Sequence, residues 1–261
     1  MLFRSQGIQE RLEKMKTSEE ELGEISRFQK ESGELNYNQR QKLRDFLERQ
    51  KQQSEMMKNY SEKLKQSFEE ERIEPENKEL NQELKRRLEK NEEELKEQEE
   101  LLRQLEELAN KLEKEELGRK LDELSKKNRS GERNLEQLLE ITKRYYVEEK
   151  LQKLARDLDE LGKKQEDLGS NEENNSVEKQ QEINEKFQEF KEAMDQLEKD
   201  NEDLKEPKEL GRDSIDEESI EKEMQEAEQK LQEDKKKEAG ENQKEAGEQM
   251  QEMAKKMQQS S

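Results

Sequence analysis

The chain has 261 residues, of which 48% are charged, 25% hydrophobic and 4% aromatic. So few apolar side chains do not fill a globular core of this length, but they suffice for a seam between helices, where about two positions in seven are apolar. The net charge of −20 disfavours nucleic acid as a partner, and the lack of His and Cys excludes disulfides, imidazole catalysis and His or Cys metal sites.

The chain begins with a segment that lies outside any helical pattern. Residues 1–5 read MLFRS, and Leu-Phe-Arg-Ser is what a common sequencing-adapter stretch encodes. We therefore predict that residues 1–5 are a non-native leader and that the chain is a fragment of a longer protein. Residues 6–34 are predicted to form a short N-terminal helix, in which Ile8, Leu12 and Met15 share one face.

Residues 35–128 are predicted to form a long helical hairpin that turns at Pro75, because proline is not accommodated inside a helix. Leucines at alternating steps of three and four follow this proline, with a slip of phase between Leu112 and Leu117. The stretch KNRSGERN, residues 127–134, predicts the next break and a second reversal that sets Leu121 opposite Leu138.

Residues 129–212 are predicted to form a central helical hairpin around the loop GSNEENNS, residues 169–176. In an antiparallel pair of helices, the sequence numbers of two facing residues add up to a nearly constant value. Six apolar pairs satisfy this rule here, among them Leu161 with Ile183 and Leu154 with Phe190. The same arithmetic around EPKELGRDS, residues 206–214, predicts a further antiparallel contact.

That further contact sets Met194 opposite Ala227. Residues 213–261 are then predicted to hold a C-terminal helix. Its helical pattern weakens after Lys237, where a truncated tail rich in Met and Gln follows. Sustained three-four spacing interrupted every 30 to 50 residues is typical of helices that fold back on one another. The predicted fold class is therefore all-α, with extended antiparallel coiled-coil hairpins and frayed ends.

Five residues are candidates for binding a protein partner. Tyr145 and Tyr146 are adjacent aromatic side chains with polar tips, which either pack in the seam or anchor a partner. Met250, Met253 and Met257 form a stripe that is either an adaptable binding surface or the seam of a helix whose partner is missing.

The remaining chemistry rests on carboxylates that lie on predicted solvated faces, where their pKa values stay ordinary. We therefore predict no catalytic residue, no metal site and no cofactor, and we expect that the chain is not an enzyme. No run of about 18 apolar residues is present, so no membrane contact by this segment itself is expected.

Three phrases resemble a known family. They are RNLEQLLEITKRYYVEEKLQKLARDLDELGKKQEDLG, LNYNQRQKLRDFLERQKQQSEMM and EKQQEINEKFQEFKEAMDQLEKDNEDLKEP, and the resemblance runs from about Leu35 to the end. The family consists of large membrane-anchored envelope proteins of Bacteroidota, with membrane helices near the N-terminus and a long extracytoplasmic helical part. The resemblance implies an extracytoplasmic location and a membrane anchor elsewhere in the full-length protein. The family has no established activity, so it offers no catalytic residues to carry over to this chain.

Two functions follow as hypotheses. The first is a non-catalytic scaffold segment of a larger cell-envelope protein, acting as a spacer or docking arm. The second is a regulated protein-binding module that uses the Met-rich tail or the tyrosine pair to capture a protein partner.

Overall fold

A computed structural model describes residues 2–32, 35–70, 78–111 and 114–260. Within these ranges the regular structure consists of α-helices, and no strand is present. The helices are α1 (Leu2–Ser32), α2 (Tyr37–Glu70), α3 (Lys78–Lys111), α4 (Lys114–Ser170), α5 (Val177–Glu202), α6 (Ser214–Gln232) and α7 (Lys236–Ser260). The all-α prediction is thus confirmed.

The chain forms two compact units, unit 1 (Met1–Lys143) and unit 2 (Arg144–Ser261), and α4 contributes to both. The predicted boundary between residues 128 and 129 is therefore wrong, because it falls inside α4. Of residues 6–34, predicted as a short helix, residues 6–32 lie in α1, which begins at Leu2, and residues 33 and 34 lie outside the described residues. The predicted turn at Pro75 lies outside the described residues, and the leader of residues 1–5 stays a prediction.

In unit 1, neighbouring helices are joined by hydrogen bonds between buried polar side chains, and successive helices run antiparallel. One such bond joins each consecutive pair: Gln50 Nε2 to Ser18 Oγ (2.7 Å), Asn91 Nδ2 to Ser61 Oγ (3.0 Å) and Gln98 Nε2 to Asn128 Oδ1 (3.0 Å). Around these polar layers lie buried leucines from all four helices, together with Phe46.

The predicted break at residues 127–134 is wrong, since α4 is continuous through them. One interior glycine, Gly131, costs a helix about 1 kcal/mol, whereas each buried leucine contributes about 1.5–3 kcal/mol. Leu124 and Leu135 flank this stretch and are both buried. Helix formation therefore prevails over the local turn signal.

The reversal lies instead near the slip of phase in the leucine pattern. Helix α3 ends at Lys111, α4 begins at Lys114, and the two run antiparallel. Leu112 itself lies outside the described residues. Because Leu121 and Leu138 belong to the same helix, the predicted pairing of these two residues is wrong.

In unit 2, α4 and α5 are joined at Gln165 and Gln180, whose side-chain amides hydrogen bond at 3.0 Å. This pair has the register that the predicted central hairpin requires. Leu158, Phe187 and Phe190 lie in the same buried core, where the two phenylalanine rings stack with centroids 5.9 Å apart.

The predicted register between α5 and α6 is wrong. Asn184 Nδ2 donates to Glu228 at 2.8 Å, and Lys191 forms an ion pair with Glu221. The predicted pairing would have set Asn184 opposite Lys237. The partner of Asn184 is thus nine residues from the predicted one, about two and a half helical turns, which is close to one seven-residue repeat of the apolar stripes.

The connection between α5 and α6 explains this shift. Asn201 bridges it, donating from Nδ2 to the Lys208 carbonyl at 2.8 Å and accepting from the Lys208 N–H at 3.0 Å. Leu204 and Leu210 of this connection are buried in the core. The connection is thus a packed part of unit 2, and its length sets where α6 begins.

The prediction that the helix weakens into a tail after Lys237 is also wrong. The chain reverses after α6 and returns as α7, which is helical from Lys236 to Ser260. Lys235 N–H donates to the Lys230 carbonyl at 2.9 Å, and Asp234 N–H donates to the Leu231 carbonyl at 3.1 Å. These two bonds form a Schellman motif, with Asp234 at φ 58° in the position that usually holds glycine.

Candidate functional site

The two candidate tyrosines are buried. Tyr145 is 3% exposed and Tyr146 is 7% exposed, and their rings meet edge to face with centroids 5.8 Å apart and planes at 84°. The seam interpretation expected one ring inside and the other at the edge, but both lie inside. Neither ring is exposed for docking in this conformation.

The methionine stripe is also buried. Met250, Met253 and Met257 are each fully buried in the core of unit 2. Their seam has its partner within the chain, because α7 packs against α4. The interpretation in which the partner helix is missing is therefore wrong.

Glycines let α4 and α7 approach closely. A Cβ on Gly162 would lie 2.7 Å from the Gly247 carbonyl oxygen, and a Cβ on Gly169 would lie 2.7 Å from the Gly240 carbonyl oxygen. Each helix thus carries two glycines seven residues apart, and the pairs match in antiparallel order. The spacing was visible in the sequence, but which helix faces which was not.

Four buried amides form a network at this end of unit 2. Gln180 Oε1 accepts from Gln165 Nε2 at 3.0 Å and from Gln243 Nε2 at 2.7 Å, so it joins α4, α5 and α7. Gln243 in turn exchanges hydrogen bonds with Asn175 at 2.6 and 3.0 Å. These amides satisfy one another, which favours a structural role over ligand binding.

Arg212 is the centre of a charged cluster in a stretch predicted only as a break. Its guanidinium binds Asp195 at 2.7 Å, Glu198 at 3.0 Å and Glu217 at 2.7 Å. The hydrogen bond to Glu217 is the main cause that raises the pKa of Arg212 above its ordinary value. The cluster ties the start of α6 to α5.

Unit 1 contains a cavity of about 100 Å³ beside Arg11, lined by both polar and apolar side chains. Arg11 is 5% exposed and donates to Gln53 Oε1 at 2.5 Å and to Gln98 Oε1 at 3.5 Å. Burial lowers the pKa of Arg11 to about 10, so the guanidinium is charged at neutral pH. Among the described residues, no carboxylate is paired with it.

The cavity wall is contributed by α1, α3 and α4. Its lining residues include Met15, Asn91, Glu94, Leu95, Glu97, Gln98, Lys127, Asn128 and Leu135. Sequence reasoning missed this site, although Arg11 lies one position before Leu12 and so next to the apolar stripe of α1. No candidate from the sequence lines this cavity.

Within the described residues, no group of three or more Asp and Glu side chains is arranged to hold a metal ion. The same residues contain no helix apolar and long enough to cross a bilayer. No family model, no curated protein and no solved structure matches this chain.

Proposed function

We propose that this chain is a non-catalytic scaffold segment of a larger cell-envelope protein, in which it acts as a spacer or docking arm. The observation that carries the proposal is the use of the interior side chains of unit 2. Its methionine stripe, its glycine pairs on α4 and α7, and its amide network all contact other helices of the same unit. Interior groups arranged in this way stabilise one arrangement of helices and leave most of the charged side chains in water.

The envelope location is supported by the resemblance of three sequence phrases to membrane-anchored proteins of Bacteroidota. Under this proposal the anchor lies elsewhere in the parent protein. An antibody against the chain, applied to fractionated source cells, tests this part. We expect the antigen in the membrane fraction and accessible to protease in spheroplasts, and recovery in the cytosolic fraction would contradict the location.

The scaffold role is tested on the purified chain at low concentration with a lysine-reactive crosslinker. We expect a crosslink between Lys153 and Lys191 within one chain, because these residues lie on the antiparallel helices α4 and α5. Crosslinks only between chains, or a chain without helical circular dichroism, would contradict a self-contained scaffold.

A second experiment distinguishes a scaffold role from that of a partner-binding module. The double variant Tyr145→Phe, Tyr146→Phe keeps the buried rings and removes both hydroxyl groups, and Tyr37→Phe, at a 77% exposed position, is the control. A defined partner captured by the wild type and by the control, but lost in the helical double variant, would favour the binding module. Equal behaviour of all three proteins is expected for a scaffold.

A further inference from the structure

Among the residues that the structure describes, the buried charge of Arg11 has no counter-charge. Its two hydrogen-bond partners are the amide oxygens of Gln53 and Gln98, and its Nε has no partner. Buried charges in proteins are paired with an opposite charge, because an unpaired ion inside a protein costs several kcal/mol. The position of Arg11 on the cavity wall therefore raises the question of what fills the cavity.

The second unpartnered group of the same wall is also a donor. Asn128 is 4% exposed, and its Nδ2 has no hydrogen-bond partner. Its orientation follows from its neighbours: Gln98 presents its oxygen to Arg11 and to Ser54, so its Nε2 donates to Asn128 Oδ1 at 3.0 Å. That bond directs the amide nitrogen of Asn128 away from Gln98.

No buried acceptor among the lining residues lacks a partner. The two carboxylates of the wall are engaged: Glu97 pairs with Lys127 at 2.5 Å, and Glu94 accepts from Asn134. A ligand that offers only acceptors and carries negative charge fits this set of groups. The volume of about 100 Å³ has room for roughly three waters at about 30 Å³ each.

We propose that this cavity binds one small anion, of the size of chloride or formate, between the Arg11 guanidinium and the Asn128 amide. The anion supplies the counter-charge that the helices do not provide, and it links α1 to α4 in unit 1. Because Glu94 and Glu97 lie in the same wall, binding is weak and falls in the millimolar range. This site is independent of the scaffold role.

Thermal unfolding at constant ionic strength tests the proposal, with sodium gluconate as the reference because gluconate is too large for the cavity. Chloride and formate are expected to raise the unfolding temperature of the wild type by roughly 2–5 °C, since a ligand bound only to the folded state stabilises it. Hydrogen exchange should show the added protection in peptides of unit 1, with unit 2 as internal control.

Three variants make the test specific. Arg11→Gln should abolish the anion dependence, whereas Arg103→Gln, at an exposed arginine of α3, should retain it. Asn128→Asp places a carboxylate in the wall and should raise the unfolding temperature in gluconate while removing the response to chloride. If Arg11→Gln does not fold, the Asn128→Asp variant decides.

Direct binding is measured by the line width of the chloride NMR signal. Wild-type protein should broaden the ³⁵Cl line, and formate should sharpen it again by displacement. An equal response in wild type and Arg11→Gln, an anion response retained in Asn128→Asp, or no broadening by the wild type would overturn the proposal. The cavity would then hold water only.

Discussion

Gly162 of α4 and Gly247 of α7 lie so close that a Cβ on either would stand 2.7 Å from the carbonyl oxygen of the other. At each position one of the atoms in the way is a backbone carbonyl oxygen, so side-chain rotation alone does not relieve the clash. Seven residues along each helix, Gly169 and Gly240 repeat the arrangement. The packing of α7 on α4 thus depends on the absence of side chains at four positions.

Replacing Gly162 with alanine is therefore expected to destabilise unit 2 by about 1–3 kcal/mol, the usual cost of overpacking. The matched control is Gly23→Ala in α1, where an added Cβ would meet nothing within 4 Å. That change should stabilise the protein by about 0.5–1 kcal/mol, because alanine is the better helix former. Urea unfolding followed by circular dichroism measures both, and equal effects would disprove the close approach.

Asp234→Gly is expected to stabilise the protein by about 0.5–1 kcal/mol, since glycine adopts a positive φ without strain. The same measurement on Asp234→Val should show a loss, because a β-branched residue is strained at φ 58°. A glycine variant less stable than the wild type would argue against the Schellman motif between α6 and α7.

Gln180→Ala is expected to cost about 2–4 kcal/mol, because it removes the acceptor for two buried amide donors, Gln165 Nε2 and Gln243 Nε2. Gln188→Ala is the control: Gln188 is exposed on the same helix, and its hydrogen bond within the described residues goes to Glu192, one turn away, at 3.5 Å. That variant should stay within about 0.5 kcal/mol of the wild type. Equal losses of stability for the two variants in urea unfolding would contradict a buried amide network at Gln180.

A hydrogen bond from Arg103, and a smaller effect of one from Gln104, lower the pKa of Glu100 to about 2. A lowered folded-state pKa means that the carboxylate contributes stability above its unfolded pKa of about 4.3, and that this contribution is lost as the pH falls through about 2. The effect is small, because exposed ion pairs are screened by water. A ¹³C NMR titration of Glu100 should shift towards an ordinary pKa in Arg103→Gln, and an unchanged titration would contradict the pairing.

The location of the helices and their buried faces could largely be predicted from local pattern. Stripes such as Leu151, Leu158 and Leu161 in α4, or Ile183 and Phe187 in α5, are buried where the three-four spacing places them. The loop predicted at residues 169–176 likewise separates α4 from α5, although α4 continues to Ser170 and the connection consists of residues 171–176. Spacing along one helix is a property of neighbouring residues, so it is readable without the fold.

The candidate sites could not be found in the same way. Tyr145, Tyr146 and the methionine stripe are candidates for partner binding by residue type, yet all are buried. Arg11 and Asn128 are ordinary residues in a chain that is nearly half charged, and only the meeting of α1, α3 and α4 makes them a site. Burial of a charge is a tertiary property, so composition does not reveal it.

What the sequence by itself determined is an all-α chain whose helices carry narrow apolar stripes. Only the tertiary structure decided where the chain reverses, which register α6 takes on α5, and that α7 returns to α4. The physical reason is that stripes repeating every seven residues match equally well after a slip of one repeat. Contacts particular to one register, such as Gly162 with Gly247 and Gln180 with Gln243, separate these alternatives.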